Sequence, residues 1–418
     1  MTVLHEEGHA LGLGHAGPYN GSNTSSQQFS PYDTRLWSIM SYFNNATDPG
    51  GGLAGASSRY PQYPLTNTTN WNGYYPTTPM IADIMAIQQI YGAPTSTPLS
   101  GGQVFGFDCN ITGNLQPFFD FSINTNPVIT LWDGGGNNTL DLSGFSAGST
   151  VSLVAGSLSS CDGMTDNLAI AFGTAINNFV GGSGADTVMA NDNGDTLSGG
   201  SGNDTLNGGA GSDTLNGEFG NIIIKGGSGD DTVTSTSGVD GIDGGAGNDK
   251  LILARSTTIA ALNFTFTPGA AGLTALSDGS IFQNIESLNM GLLGGSGDDT
   301  ITIILDPLHD YTEFLTLGGG YDTVTVDLSS FTADLCMDST SGSGNGEDIH
   351  LPNRTGHYTG YGGVAFSNYS SILGMQYVEA FHIIGGSDTT SSKAKTMPTS
   401  SKAAAAWIRS GATEAMMC

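Results

Sequence analysis

The sequence predicts an α+β N-terminal segment followed by an all-β, parallel β-roll. Three observations predict it. Helical patterning is confined to residues 1–92, a nine-residue repeat runs through 181–252, and 64 of the 418 residues are glycine without collagen's three-residue period. Hydrophobic residues, at 38%, suffice for a core, and the length allows two or three domains. Against 10 Lys and Arg stand 38 Asp and Glu, a formal charge of −28. Such a surface repels phosphate backbones and anionic lipid, which argues against nucleic-acid and membrane partners. Carboxylates this dense need solvent or hard cations.

The first helix is expected over Thr2–Leu13, where Val3, Leu4, Ala10, Leu11 and Leu13 share a helical context and Gly12 and Gly14 punctuate the end. The second is expected over Pro79–Tyr91, opened by proline and followed by Gly92. Between them lies a polar, aromatic, Gly/Pro-rich stretch. The start of the chain has neither the basic nor the apolar region of a signal peptide, and the apolar run Ala403–Ile408 is too short to span a bilayer. Cys109, Cys161, Cys336 and Cys418 have no metal-knuckle or disulfide-framework spacing, and read as isolated thiols.

Three of the seven histidines fall in His5-Glu6-Glu7-Gly8-His9-Ala10-Leu11-Gly12-Leu13-Gly14-His15. On a helix His5 and His9 lie one turn apart on one face, so both imidazoles reach one metal. Glu6 projects beside them, within reach of a metal-bound water. Gly12 tolerates positive φ, which ends the helix and turns the chain back to offer His15 as third ligand. Three neutral imidazoles leave the open position that one catalytic zinc needs.

From Gly101 onward short β-type runs, such as Val128–Leu131 and Val151–Val154, alternate with Gly/Asn/Ser/Asp turns. Residues 101–255 form a β-rich linker and the roll. In the roll, complete units begin at Gly181, Gly199, Gly208, Gly226 and Gly244, and degenerate ones at Ala190, Gly217 and Ser235. The eighth position is always apolar: Val188, Leu197, Leu206, Leu215, Ile224, Val233, Ile242 and Leu251. Six residues make a turn and three a short strand that buries one side chain. The turns offer backbone carbonyls and carboxylates, hard oxygen ligands for several Ca²⁺. Candidate ligands are Gly182, Gly184 and Asp186; Asp195; Gly200, Gly202 and Asp204; Gly209, Gly211 and Asp213; Gly227, Gly229 and Asp231; Asp240; and Gly245, Gly247 and Asp249. Only Ile222 departs from Asp at position six. Residues 256–392 read as a further β-rich module with isolated calcium-type turns at Gly294–Asp299 and Leu317–Val324. Residues 393–418, rich in Ser, Lys and Ala, are expected to be a disordered tail.

The zinc string, the turn Ser38-Ile39-Met40-Ser41-Tyr42, Pro18–Gly21, Pro79–Ala93, Val104–Phe107, Leu131–Gly136 and the repeats together resemble the serralysin family of metzincins. The resemblance covers roughly residues 1–255. It implies a secreted zinc metalloendopeptidase acting on protein or peptide substrates, exported by type I secretion machinery without an N-terminal signal peptide. It makes His5, His9 and His15 zinc ligands, Glu6 the general base, and Met40 the hydrophobic floor beneath the metal. Tyr42 becomes a further ligand and oxyanion donor. Asp133, Gly135 and Asn138 join the calcium ligands. Residues 1–100 then form the lower half of a metzincin catalytic domain, the segment that precedes the zinc helix in the family being absent. Asn138 replaces a family Asp, Asn177 a family Glu, and Ala82 one of two adjacent acids. The alternative function is a catalytically inactive calcium-binding β-roll exoprotein carrying a protease remnant.

Overall fold

In space the nine-residue repeat becomes an eighteen-residue one. Thr187–Met189 pairs in parallel with Thr205–Asn207, and Thr214–Asn216 with Thr232–Thr234, which in turn pairs with Lys250–Ile252. Successive units therefore alternate between two sheets, and each strand meets the strand two units away. Every position-eight side chain points inward: Val188, Leu197, Leu206, Leu215, Ile224, Val233 and Leu251 are at most 1% exposed and Ile242 5%.

The computed structural model describes residues 2–17, 32–43, 70–94, 97–255, 260–290, 296–304, 313–316, 320–327 and 329. It also describes strands at 336–338, 346–352, 369–376, 380–384 and 407–409. Pro18–Gly21, Gly294-Gly295 and Leu317–Gly319 lie outside the described residues. The chain forms two compact units, Met1–Gly211 and Ser212–Cys418.

In the first unit, helix α1 (Thr2–Ala10) is shorter than expected. The chain closes it with paired bonds from Leu13 N to Gly8 O (2.9 Å) and Gly12 N to His9 O (3.0 Å), with Gly12 at φ 90°. This is the Schellman termination that only a residue tolerant of positive φ supports. Helix α2 (Ile81–Tyr91) ends at Gly92, whose N–H donates to Gln88 O. Parallel strands Val104–Gly106, Asn138–Asp141, Ile176–Val180 and Thr196–Ser198 follow in one sheet; Thr150–Ser152, Thr187–Met189 and Thr205–Ala210 form another.

In the second unit the roll strands Thr232–Ser235 and Lys250–Leu253 continue into Ser287–Met290, Glu313–Thr316 and Tyr369–Gln376. Another parallel sheet runs Asn263–Phe266, Thr300–Ile304, Thr323–Asp327, Ala380–Ile384. Residues 256–392 are β-rich where described. The tail differs from expectation: Trp407–Arg409 pairs in parallel with His382–Ile384. Among the described residues no helix is long and apolar enough to cross a membrane. Cys109 and Cys161 are free thiols, and burial pushes the Cys161 thiol up to about 12.

Candidate metal centres

Helix α1 carries His5 and His9 on one face, and the Gly12 turn returns His15 to them. Ligand nitrogens of the three lie within 4.8 Å of one another. His9 Nε2 and His15 Nε2 are 3.1 Å apart. Two nitrogens on one tetrahedral zinc, each at ~2.05 Å, would be about 3.3 Å apart. His5 Nδ1 bonds Ile39 O at 2.9 Å, and His9 Nδ1 bonds Leu13 O at 2.9 Å. Each carbonyl accepts, so each Nδ1 carries the proton and each Nε2 keeps its lone pair. His5 Nε2 is buried without a hydrogen-bond partner. A buried acceptor aimed into a cluster of imidazoles fits a metal and is costly without one.

The turn at residues 38–42 supports this face from below. Met40, 2% exposed, packs with Ile39 and Met80 against Leu4 and Leu13. A β-carbon on Gly8 would lie 2.4 Å from Met40 Sδ, so glycine in mid-helix lets the methionine sit directly under it. The Tyr42 ring lies 4.6 Å from His15 and 5.3 Å from His5, centroid to centroid. Glu6 is exposed on α1, beside His5.

Asp83, which lies in the Pro79–Ala93 run and is given no role there, organises the turn. Its Oδ1 accepts from Ser38 Oγ (2.6 Å), and its Oδ2 from Ile39 N (2.8 Å) and Met80 N (2.9 Å). The same residue, Ile39, presents its carbonyl to His5. Burial raises the Asp83 carboxyl while these donors lower it. An acid at the third position of a helix that opens after Pro79 was the available signal.

The roll turns share a second pattern. In several turns one oxygen of the position-six carboxylate takes the backbone N–H of a neighbouring turn: Asp231 Oδ1 from Asp213 N (2.8 Å), Asp249 Oδ1 from Asp231 N (2.9 Å), Asp204 Oδ1 from Asp186 N (2.8 Å). The other oxygen, Oδ2, is buried and unpartnered in Asp231 and Asp249, and likewise in Asp299 and Asp133. A β-carbon on Gly226 would fall 2.2 Å from Asp231 Oδ2 and 2.3 Å from Gly244 O. On Gly244 it would fall 2.7 Å from Asp249 Oδ2 and 2.1 Å from Asn284 O. Glycine thus leaves an oxygen-lined cradle, the donor chemistry that Ca²⁺ takes. Burial raises both the Asp195 and Asp249 carboxyls to about 6.

Three other expected ligands are bonded within the chain. Both Asp186 oxygens accept backbone N–H groups, of Ser149 and Gly182. Asp195 accepts from Asn191 and Asn177. Asn138 stitches two segments, accepting from Gln103 N and donating to Ala175 O. Asp240 differs again: its Oδ2 accepts from Ser235 Oγ and from Arg255 Nη2.

The family described as Peptidase M10 serralysin C terminal matches residues 96–359. The chain belongs to this serralysin family. Serralysin C of Dickeya chrysanthemi is 37% identical over 193 residues, covering 45% of this chain and 36% of that protein. Metalloprotease AprA of Pseudomonas entomophila (strain L48) is 37% identical over 194 residues, 46% and 36% of the two chains. Serralysin of Proteus mirabilis is 36% identical over 195 residues, 46% and 35%. These matches span about a third of the length of the serralysin relatives. The histidine cluster precedes residue 96, where the family match begins.

Proposed function

We propose that the chain acts as a secreted zinc metalloendopeptidase of the serralysin type, with a β-roll stabilised by several calcium ions. The observation that carries this reading is the convergence of three imidazoles with His5 Nε2 buried and unpartnered. His5, His9 and His15 would hold zinc, with Tyr42 as a further ligand, and the carbonyls of Ile39 and Leu13 fix two of the tautomers. A bound zinc ion supplies polarisation of the scissile carbonyl and lowers the pKa of its water toward ~7. Glu6 takes the proton of the attacking water and passes it to the leaving amine. The Tyr42 hydroxyl donates to the developing oxyanion. Met40 and Asp83 hold the floor on which His5 rests. Calcium would sit at the roll turns, where Asp231 and Asp249 each keep an unpartnered oxygen beside a glycine cradle. The serralysin relationship supports protein substrates and type I export.

A second reading is a calcium-binding β-roll exoprotein with an inactive remnant. It is favoured by the histidine cluster's lying before the span that the family matches. Glu6→Gln separates the two. The variant should retain one zinc per chain by elemental analysis and lose casein hydrolysis by at least 100-fold, because the ligands survive and the base does not. Equal hydrolysis by both proteins would remove Glu6 from the mechanism. No hydrolysis by either would favour the second reading.

A further inference from the structure

In the second unit the turns form two series, and one of them treats its cation differently. At Asp231 and Asp249 the unit opens with glycine (Gly226, Gly244), and the carboxylate Oδ2 has no partner. At Asp240 the ladder bond is preserved, since Oδ1 accepts from Ile222 N at 3.0 Å. Its Oδ2, however, is engaged twice. Ser235 stands where the complete units have their first glycine, and its Oγ donates to Asp240 Oδ2 at 2.5 Å. Arg255 Nη2 lies 3.1 Å from the same oxygen, both side chains being at most 2% exposed. Arg255 Nε reaches Asp278 Oδ2 at 3.3 Å. Ser280, where the next carboxylate of the series would stand, carries no charge, and its Oγ accepts from Asp240 N at 3.0 Å. The preceding turn in this series has Ile222 at position six and so no carboxylate at that position.

We propose that the Ser235 hydroxyl and the Arg255 guanidinium together replace calcium at the Asp240 turn, so that this turn folds without the ion and does not bind it. The inference rests on the calcium reading of the neighbouring turns. The physical argument is one of charge and space. A buried carboxylate needs a positive partner or neutralisation. Calcium needs six to eight oxygen ligands at 2.3–2.6 Å. A guanidinium bonded to the same oxygen presents only N–H donors there, and the serine side chain fills the cradle that glycine leaves open. The site cannot hold both cations. A turn neutralised from within also stays formed at low calcium, unlike Asp231 and Asp249.

The test counts calcium on the full chain by equilibrium dialysis and elemental analysis. Asp240→Asn should leave the stoichiometry of the wild type unchanged, whereas Asp231→Asn should lower it by one. The paired substitution Ser235→Gly with Arg255→Ala reopens the cradle and removes the guanidinium. It should add one calcium per chain and lower the melting point in chelator, with recovery in millimolar calcium. Loss of a calcium in Asp240→Asn would overturn the proposal. So would an unchanged count in the double variant, or its failure to fold in calcium. If Asp231→Asn loses no calcium, the calcium reading itself fails, and the proposal falls with it.

Discussion

The histidine cluster and the roll turns both gather ligand atoms, yet their donors differ in charge and in what holds them. At the cluster the donors are neutral imidazoles, and His5 and His9 are each tied through Nδ1 to a backbone carbonyl. Emptying it leaves an unpartnered nitrogen but no buried charge. At Asp231 and Asp249 the donors are carboxylates with one buried oxygen lacking any partner. Emptying these leaves like charges in adjacent turns, and each unit offers only one inward side chain to oppose them. On the proposed reading, zinc would serve the chemistry of this chain and calcium its folding.

The largest effect that would break this comparison comes from selective chelation. Removing calcium should abolish most of the β signal in circular dichroism, since each site at 100-fold excess ligand contributes about 2.7 kcal/mol and several sites add. Removing zinc alone should leave that signal intact. Equal loss under both chelators, or none under either, would show that the two sites do not differ as argued.

A smaller effect sharpens the zinc side. Asp83→Ala strips the acceptor from Ser38 Oγ, Ile39 N and Met80 N. Each orphaned group costs about 1–3 kcal/mol. Because Ile39 also orients His5, zinc affinity should fall about 10–100-fold, as for other groups behind a metal ligand. Competition with a zinc indicator measures it. Unchanged affinity with a lowered melting point would reduce Asp83 to a helix-capping role.

The smallest effect concerns pH on the calcium side. Burial raises Asp195 and Asp249 to about 6, above the unperturbed 3.8, so the folded state holds the proton more tightly than the unfolded chain. Stability from this source is therefore present at low pH and lost as pH rises through about 6. In chelator the roll should melt higher at pH 5 than at pH 7.5, and Asp249→Asn should flatten that slope. A wild-type slope of opposite sign, or one that Asp249→Asn leaves unchanged, would mean that these carboxylates do not carry the charge burden.

Sequence alone determined the local devices. The spacing of His5, His9 and His15 with Gly12 between them sets one helix face and one reversal, because helical period and positive φ are properties of neighbouring residues. The apolar eighth position determined the roll's interior for the same reason: a period repeated in phase buries one column, whatever lies elsewhere. What the tertiary structure decided lies in pairs far apart along the chain. Asp83 reaches Ser38 and Ile39 across more than forty positions. Arg255 reaches Asp240 from fifteen positions away, across the turn and strand that close the next unit. Ser235 marked its unit as degenerate in the sequence, but nothing local told what would fill the cradle. Periodicity reports which side of an element is buried. It does not report which distant side chain supplies the charge once the element is packed, because that choice depends on register and space rather than on spacing.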